Sequence, residues 1–600
     1  MLLLNLVHRP ELAPEYALNG AQVTKANIEK QSLDIFLLQQ DIAHKNGLKT
    51  TIQMTYAALF SPEAVAIAKD HHQRFGDEIA VTFLGLDCPA FQDKFQTRDF
   101  CIWMFAKSDK KQIVHDVFEK FYSLFGFYPT ATGSYFMDAD LINIVKEKYP
   151  MVEAVVATCF EEGPKAYHTT NNSWYTFMDG GPWNPWIPSK INSHIPASNI
   201  ENDAGVVAIP HLSRDLNACF DGNGSNFGTH PQNVLRGMIY QDGQYPYLFN
   251  LIDQYHHLAK YNNGYAYNMM FVGPGWLNPQ GRWEAPFSLL KKSYEDALSY
   301  YGEMQKRGEL KSLGMSEFAR LYREKHQYQE PEVALWNDIL YGGGKQYFWY
   351  YNPHFRLLFD LNQGGALIDF RPYAGQLYQP VGIGTPNIVN ASYPFIVQAH
   401  YRAGFFTHYA GEGTIKSARV TYEGETVDLA LTRTKGHVKR FDRKEILQLE
   451  PVNLVFKNLT LTLVTIITID DNLAQINTER TIVKISDLNA KVEIEEYLTG
   501  SYGTTEYPEN MYPLKLFVEN EEETQMLNYA YQDRKITCAQ GRAIVDIPPL
   551  NVRVIHSGKD VLSSYAHEGY AFSPMFTLGV KKMVGIKEMM STWLKLEKKN

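Results

Sequence analysis

Leu2-Leu3-Leu4-Asn5-Leu6-Val7, followed at once by His8-Arg9-Pro10-Glu11, opens the chain and decides how the rest is read. A nearly unbroken apolar run suits a strand covered on both faces, which needs no polar alternation. Six further runs of this kind recur at residues 48–56, 78–86, 128–136, 152–160, 205–212 and 266–272. Between them lie patterns with apolar residues at three- and four-residue spacing, at 27–46, 62–75, 111–125 and 140–149. Strand alternating with helix predicts a parallel sheet wound as a seven-stranded β/α barrel. In such barrels chemistry sits where strands end and loops begin, so the residues just past each run are the ones that matter.

A chain of 600 residues is too long for a single core, so more than one domain is expected. Two long excursions, 163–204 and 217–245, are rich in Gly and Asn, with Trp and Pro prominent in the first. Connections of that length are often binding loops. Helical patterns follow at 285–307 and 316–326, and a break precedes Pro331. Beyond it the pattern changes to amphipathic strands, for example 346–351, 355–360, 366–371, 454–469, 475–484, 492–498 and 545–556, with Asn362-Gln363-Gly364-Gly365 as a hairpin signal. The expected organisation is an α/β barrel over 1–285, a helical linker over 286–330 and an all-β, antiparallel β-sandwich over 331–600.

Composition narrows the functional classes. A net charge of −9 argues against a nucleic-acid partner, which would call for a concentrated basic surface. No run reaches the length of a membrane span. The first residues lack the basic start and long apolar core of a secretory signal, so a cytoplasmic location is expected. The 5 cysteines show no metal-ligand spacing, and no phosphate-binding glycine loop or nucleophile elbow occurs. No metal or cofactor is therefore called for. Aromatics reach 13%, many of them in polar loops, the texture of a cleft in which sugar rings stack on aromatic planes. The expected partner is an oligo- or polysaccharide substrate.

The strand ends supply the candidate site. Carboxylates follow five of the seven runs, at Glu11, Asp87, Asp138, Glu161-Glu162 and Asp215. Glycoside hydrolysis needs two carboxyl groups about the scissile bond, one protonated and one ionised. Asp138 is the first choice for nucleophile or base, with Glu162 or Asp215 as acid; a helix N-cap would place an Asp at 138 equally well. Arg214 beside Asp215 works against an acid role there, because a cation lowers a carboxyl pKa. His8, Arg9, Asp87, Tyr135, His211, Arg214 and Trp276 are candidate substrate-binding residues. Trp174, Trp183 and Trp186, spaced by Gly and Pro, are candidate sugar platforms, with a buried loop plug as the plainer alternative. Zinc chemistry would need a carboxylate and two His, and neither HxxxH nor HExxH occurs. A ligand set drawn from different strands, His8, Asp87 and His211, would be the route to a deacetylase.

With these segments quoted, the chain resembles the superfamily of seven-stranded barrels that includes polysaccharide deacetylases and the glycoside hydrolases of families 38 and 57. Leu6-Val7-His8-Arg9-Pro10 is similar to the family 57 His-Gln-Pro segment, with Arg9 in place of Gln. Gly133-Ser134-Tyr135-Phe136-Met137-Asp138 is similar to the segment carrying the family 57 nucleophile, with Asp138 in place of Glu. The resemblance implies a carbohydrate-active hydrolase on a divergent branch. The seventh run, Asn268-Met269-Met270-Phe271-Val272, lacks the family 57 acid, and the paired Asp of the deacetylases is missing.

Overall fold

The structure, a computed structural model, describes residues 1–10, 25–83, 89–95, 102, 105–134, 137–156, 181–210, 215–217, 246–271, 277, 279, 286–326, 328, 330–339, 342–379, 393–398, 413–502, 514–530, 532–570 and 574–599. They divide into two compact units, one built from the described residues up to 328 together with Gln379, the other from 330–378 and 393–599.

The first unit is a parallel sheet with helices. Its strands are β1 (Leu2–His8), β2 (Thr50–Met54), β3 (Glu78–Thr82), β4 (Ala131–Gly133), β5 (Ala154–Val156), β6 (Val207–Ala208), β7 (Ala266–Phe271) and β8 (Leu310–Ser312). All seven apolar runs contain one of these strands. β1 is buried along its whole length. It pairs with β7 from Leu2 through Val7, and on its other side with β8 at Leu2–Leu4 and with β2 at Leu6–His8. The sheet continues through β3, β4 and β5 to β6, every pairing parallel. β8 escaped the sequence reading because its three residues, Leu310-Lys311-Ser312, include an exposed lysine and form no apolar run.

The helices are α1 (Lys25–Lys45), α2 (Pro62–Phe75), α3 (Pro89–Phe95), α4 (Lys107–Phe125), α5 (Ala139–Lys148), α6 (Pro246–His257), α7 (Phe287–Lys306) and α8 (Met315–Lys325). Local chemistry fixes their ends. Ser61 caps α2 by accepting from the Ala64 N–H, Pro62 takes the first helical position, and Gly76 at φ 73° closes the helix in the left-handed conformation.

Among the described residues the sheet is a half-barrel rather than the closed barrel expected: β6 and β7 do not pair. The free side of β6 is instead occupied from within the 163–204 excursion. Trp186 exchanges both backbone hydrogen bonds with Ala208, antiparallel, and leads into a hairpin of Pro188–Ser189 and Asn192–Pro196. No helix among the described residues is long and apolar enough to cross a membrane.

The second unit holds two large antiparallel sheets, of 11 and 10 strands. Its strands reach 12 residues, as in Leu459–Asp470, where buried positions alternate with more exposed ones. One core joins the two sheets: Val420, Ile494 and Val580 of the first pack with Leu454, Leu461, Ile482 and Met590 of the second.

Candidate functional site

The concave side of the half-barrel follows from the strand period of two. Glu78 begins β3, and its Oε atoms accept from the hydroxyls of Thr51 and Thr130, each at 3.0 Å, and from the Ser316 N–H at 3.2 Å in the first turn of α8. A carboxylate suits a helix N-terminus, where backbone N–H groups are otherwise unpaired. Asn5 adds a further tie, its Nδ2 donating to the Leu313 carbonyl at 3.0 Å. These contacts close the N-terminal end of the sheet.

Above that floor lies a small pocket, lined among others by Asn5, Trp183, Asn184, Tyr255, Tyr267 and Asn268. Its free volume is about 10 Å³, room for about one water and far below the roughly 300–1,000 Å³ of small-molecule sites. The chemistry is aromatic rings interleaved with side-chain amides. Asn5 is 1% exposed. Its Nδ2 is committed to a carbonyl, which fixes the amide orientation, and its Oδ1 has no hydrogen-bond partner among the described residues. A buried acceptor left unmatched carries a desolvation penalty that a donor from a bound molecule would relieve. Tyr267 hydrogen-bonds His326 through its hydroxyl. Burial pushes the His326 imidazole down to about 4, so at neutral pH the ring is uncharged.

The sequence-predicted residues fall into three groups. Asp87, Tyr135, Glu162, Trp174, His211, Arg214 and Trp276 lie outside the described residues. Trp183 lines the cavity, and Arg9 and Asp215 are buried just beyond β1 and β6. The Asp215 Oδ1 accepts from the Asn217 N–H at 3.1 Å, which holds the carboxyl in a local turn.

The remaining three have surroundings different from those expected. Asp138 is fully buried as the N-cap of α5: Oδ1 accepts from the Leu141 N–H at 2.8 Å and Oδ2 from Lys110 Nζ at 2.5 Å. Burial drives its carboxyl pKa up, against the opposing pull of Lys110 and the Leu141 N–H. Those bonds give Asp138 a capping and ion-pairing role. His8 is also fully buried, with Nδ1 2.9 Å from Gln40 Oε1 in α1 and Nε2 2.5 Å from the Tyr294 hydroxyl in α7. It therefore points into the helical layer, because it lies an odd number of residues from Asn5 on the same strand. Trp186 is 1% exposed, its indole N–H donating to the Ser193 carbonyl at 3.0 Å. This is a buried plug rather than an open platform, since the chain is held there by the bridge to β6.

Sequence reasoning missed Asn5, Asn184, Tyr255, Tyr267 and Asn268. A signal was available for two of them: Asn5 and Asn268 are amides inside otherwise apolar strand runs, and a buried amide must be hydrogen-bonded or be waiting for a ligand.

No protein-family profile matches the chain, and no curated protein matches it. Solved structures similar to it include a protein from Parabacteroides distasonis assigned as a glycoside hydrolase/deacetylase, at 15% identity and a TM-score of 0.49, over 64% of this chain and 88% of that one. Another is the 4-alpha-glucanotransferase of Thermococcus litoralis, at 8% identity and a TM-score of 0.28, covering 100% of this chain and 99% of the other. A third is a galactose mutarotase-like protein from Clostridium acetobutylicum, at 8% identity and a TM-score of 0.30, over 44% of this chain and 99% of that one.

Proposed function

We propose that the chain is a carbohydrate-active hydrolase that cleaves glycosidic bonds by a metal-independent, two-carboxylate mechanism. In this reading the half-barrel is the described part of a seven-stranded β/α barrel, catalytic over residues 1–285, followed by a helical linker and a β-sandwich. The observation that carries it is the clustering of Trp183, Tyr255 and Tyr267 about a small pocket in which Asn5 Oδ1 is an unmatched acceptor, the inner end of a site whose sugar-binding part would lie further out along the rim. Sugars present that combination of C–H faces and hydroxyl donors.

The carboxylate pair is drawn from the rim. With Asp138 engaged by Lys110 and the α5 backbone, Glu162 and Asp215 become the first pair to consider, one donating a proton to the leaving oxygen and the other acting as base or nucleophile. The deacetylase alternative is weakened, because both ring nitrogens of His8 have protein partners and the proposed ligand set loses a member.

The test is turnover of a panel of chromogenic aryl glycosides by the full chain, with Asp215→Asn and Glu162→Gln alongside. General acid–base and nucleophilic roles predict a fall in kcat of roughly 10²–10⁴-fold in each variant, at unchanged Tm. Sugar binding without turnover would instead mark a non-catalytic carbohydrate-binding protein. Full activity in both variants would remove this pair from the mechanism.

A further inference from the structure

At the opposite end of the sheet from the rim, three side chains from separate segments converge. His44 lies in the last turn of α1, His71 in α2, and Asp77 just ahead of β3. His44 Nε2 is 2.7 Å from Asp77 Oδ2, and one donor atom from each of the three residues lies within 4.8 Å of the others. We propose that His44, His71 and Asp77 form a binding site for one divalent transition-metal ion of the zinc class.

Several observations bear on it independently. Two imidazoles and a carboxylate are the donor set that such ions prefer, and bonds of about 2.0–2.1 Å in tetrahedral geometry set ligand atoms about 3.3 Å apart. The His44–Asp77 pair is closer than that and none of the three donor atoms is more than 4.8 Å from another, so side-chain movement alone can close the set around an ion. The carboxylate is already aimed: Asp77 Oδ1 accepts from the Thr50 N–H at 2.9 Å, and the Asp77 carbonyl lies 2.7 Å from His72 Nδ1. The surroundings are closed, with the Asp77 side chain 0% and that of His44 7% exposed, and the Phe75 ring stacked on His44 at 3.6 Å.

Unmatched polar atoms point the same way. Nδ1 of His44 and Nδ1 of His71 are both buried with no hydrogen-bond partner among the described residues. A neutral imidazole has one donor and one acceptor, so the His44–Asp77 bond uses one nitrogen and leaves the other unused. Metal binding at His44 Nε2 would place the ring proton on Nδ1, which has no hydrogen-bond partner now, and draw His71 into the same set. Three protein ligands leave a fourth position for water. Because the site ties α1, α2 and the start of β3 at the N-terminal end of the sheet, its effect is on stability rather than on chemistry at the rim. The inference stands whatever substrate the rim takes.

The experiment is a titration of the chelator-treated full chain with CoCl₂ and then ZnCl₂. One equivalent of Co²⁺ should bind with the visible absorption of a tetrahedral site and be displaced by Zn²⁺, and saturating Zn²⁺ should raise Tm, since an ion that binds only the folded chain stabilises it. His71→Ala should weaken binding by more than the roughly 10–100-fold that outer-shell changes produce. Asp77→Asn, which keeps an acceptor for the Thr50 N–H, should do the same. X-ray absorption of the zinc-loaded wild type should show two imidazole ligands, a result that depends on no variant. Absence of stoichiometric binding by the wild type, or undiminished affinity in a folded His71→Ala protein, would overturn the proposal.

Discussion

The two ends of the parallel sheet, one expected to be structural and the other chemical, treat their described carboxylates alike. At the N-terminal end the carboxylates of Asp77 and Glu78 are committed to the protein: Thr50 and His44 take the first, while Thr51, Thr130 and the first turn of α8 take the second. At the C-terminal end Asp138 repeats that pattern, with one oxygen on a helix N-terminus and the other on a buried lysine, although it lies on the rim where substrate chemistry was expected. The lesson is that position on a strand end nominates a carboxylate, and its hydrogen-bond partners decide its role.

Asp138→Ala puts the structural role of this carboxylate to the most severe test. Removing the carboxylate leaves Lys110 buried without its counter-ion, a loss of about 3–5 kcal/mol, and takes away an N-cap contributing about 1 kcal/mol more. The expected outcome is a large fall in Tm or in denaturant midpoint, with the rate per folded molecule retained. An unchanged Tm together with complete loss of turnover, best sought in Asp138→Asn, would return Asp138 to the catalytic pair and dissolve the likeness to the N-terminal end.

Next in size is the acid response of the first unit. Burial lowers His8 and His326 to about 4 in the folded chain, from about 6.5 when unfolded. Between those values the unfolded state binds more protons, so stability rises with pH. The contribution is complete above about 6.5 and is lost as pH falls towards 4, on the order of 3 kcal/mol for each histidine. Urea midpoints measured from pH 7 to pH 4.5 should fall accordingly, and His8→Gln should reduce the slope. A flat profile would mean that neither ring is held neutral.

Much of this fold is legible in sequence because burial on both faces leaves a plain signature. The runs at 2–7 and 266–272 become β1 and β7, and Pro62-to-Gly76 punctuation marks α2 to the residue. What escaped are features set by partners far away in the chain. β8 is three residues long and exists through its pairing with Leu2–Leu4. The antiparallel bridge of Trp186 onto Ala208 likewise has no local signature. The site was less legible for the same reason. Asp138 and His8 were nominated by position, but Lys110 and Tyr294, which define their roles, come from α4 and α7. Asn5 and Asn268 could have been found, as amides inside apolar strand runs.

A smaller effect sharpens the closed end. Glu78→Gln keeps an acceptor for Thr51 and Thr130 but removes the charge facing the first turn of α8, a loss of about 1–2 kcal/mol. Tm should fall modestly while KM and kcat per folded molecule stay put, since the cavity wall is untouched. A change in KM would mean that the floor and the cavity are mechanically coupled.

The smallest expected change is also the most specific to ligand. Trp183 is mostly buried yet lines the cavity, so it divides its surface between the fold and whatever the cavity holds. Trp183→Phe keeps an aromatic face and shortens its reach, which should weaken sugar binding by about 1 kcal/mol, roughly fivefold in Kd, with little change in Tm. Titration calorimetry with the best sugar of the glycoside panel measures it. If affinity is unaffected while Tm drops, Trp183 belongs with Trp186 as packing for the segment that runs along β6, and the recognition surface must lie further out along the rim. If affinity falls and Tm holds, Trp183 borders the sugar subsite, and the two ends of the sheet differ in function although their described carboxylates are committed alike.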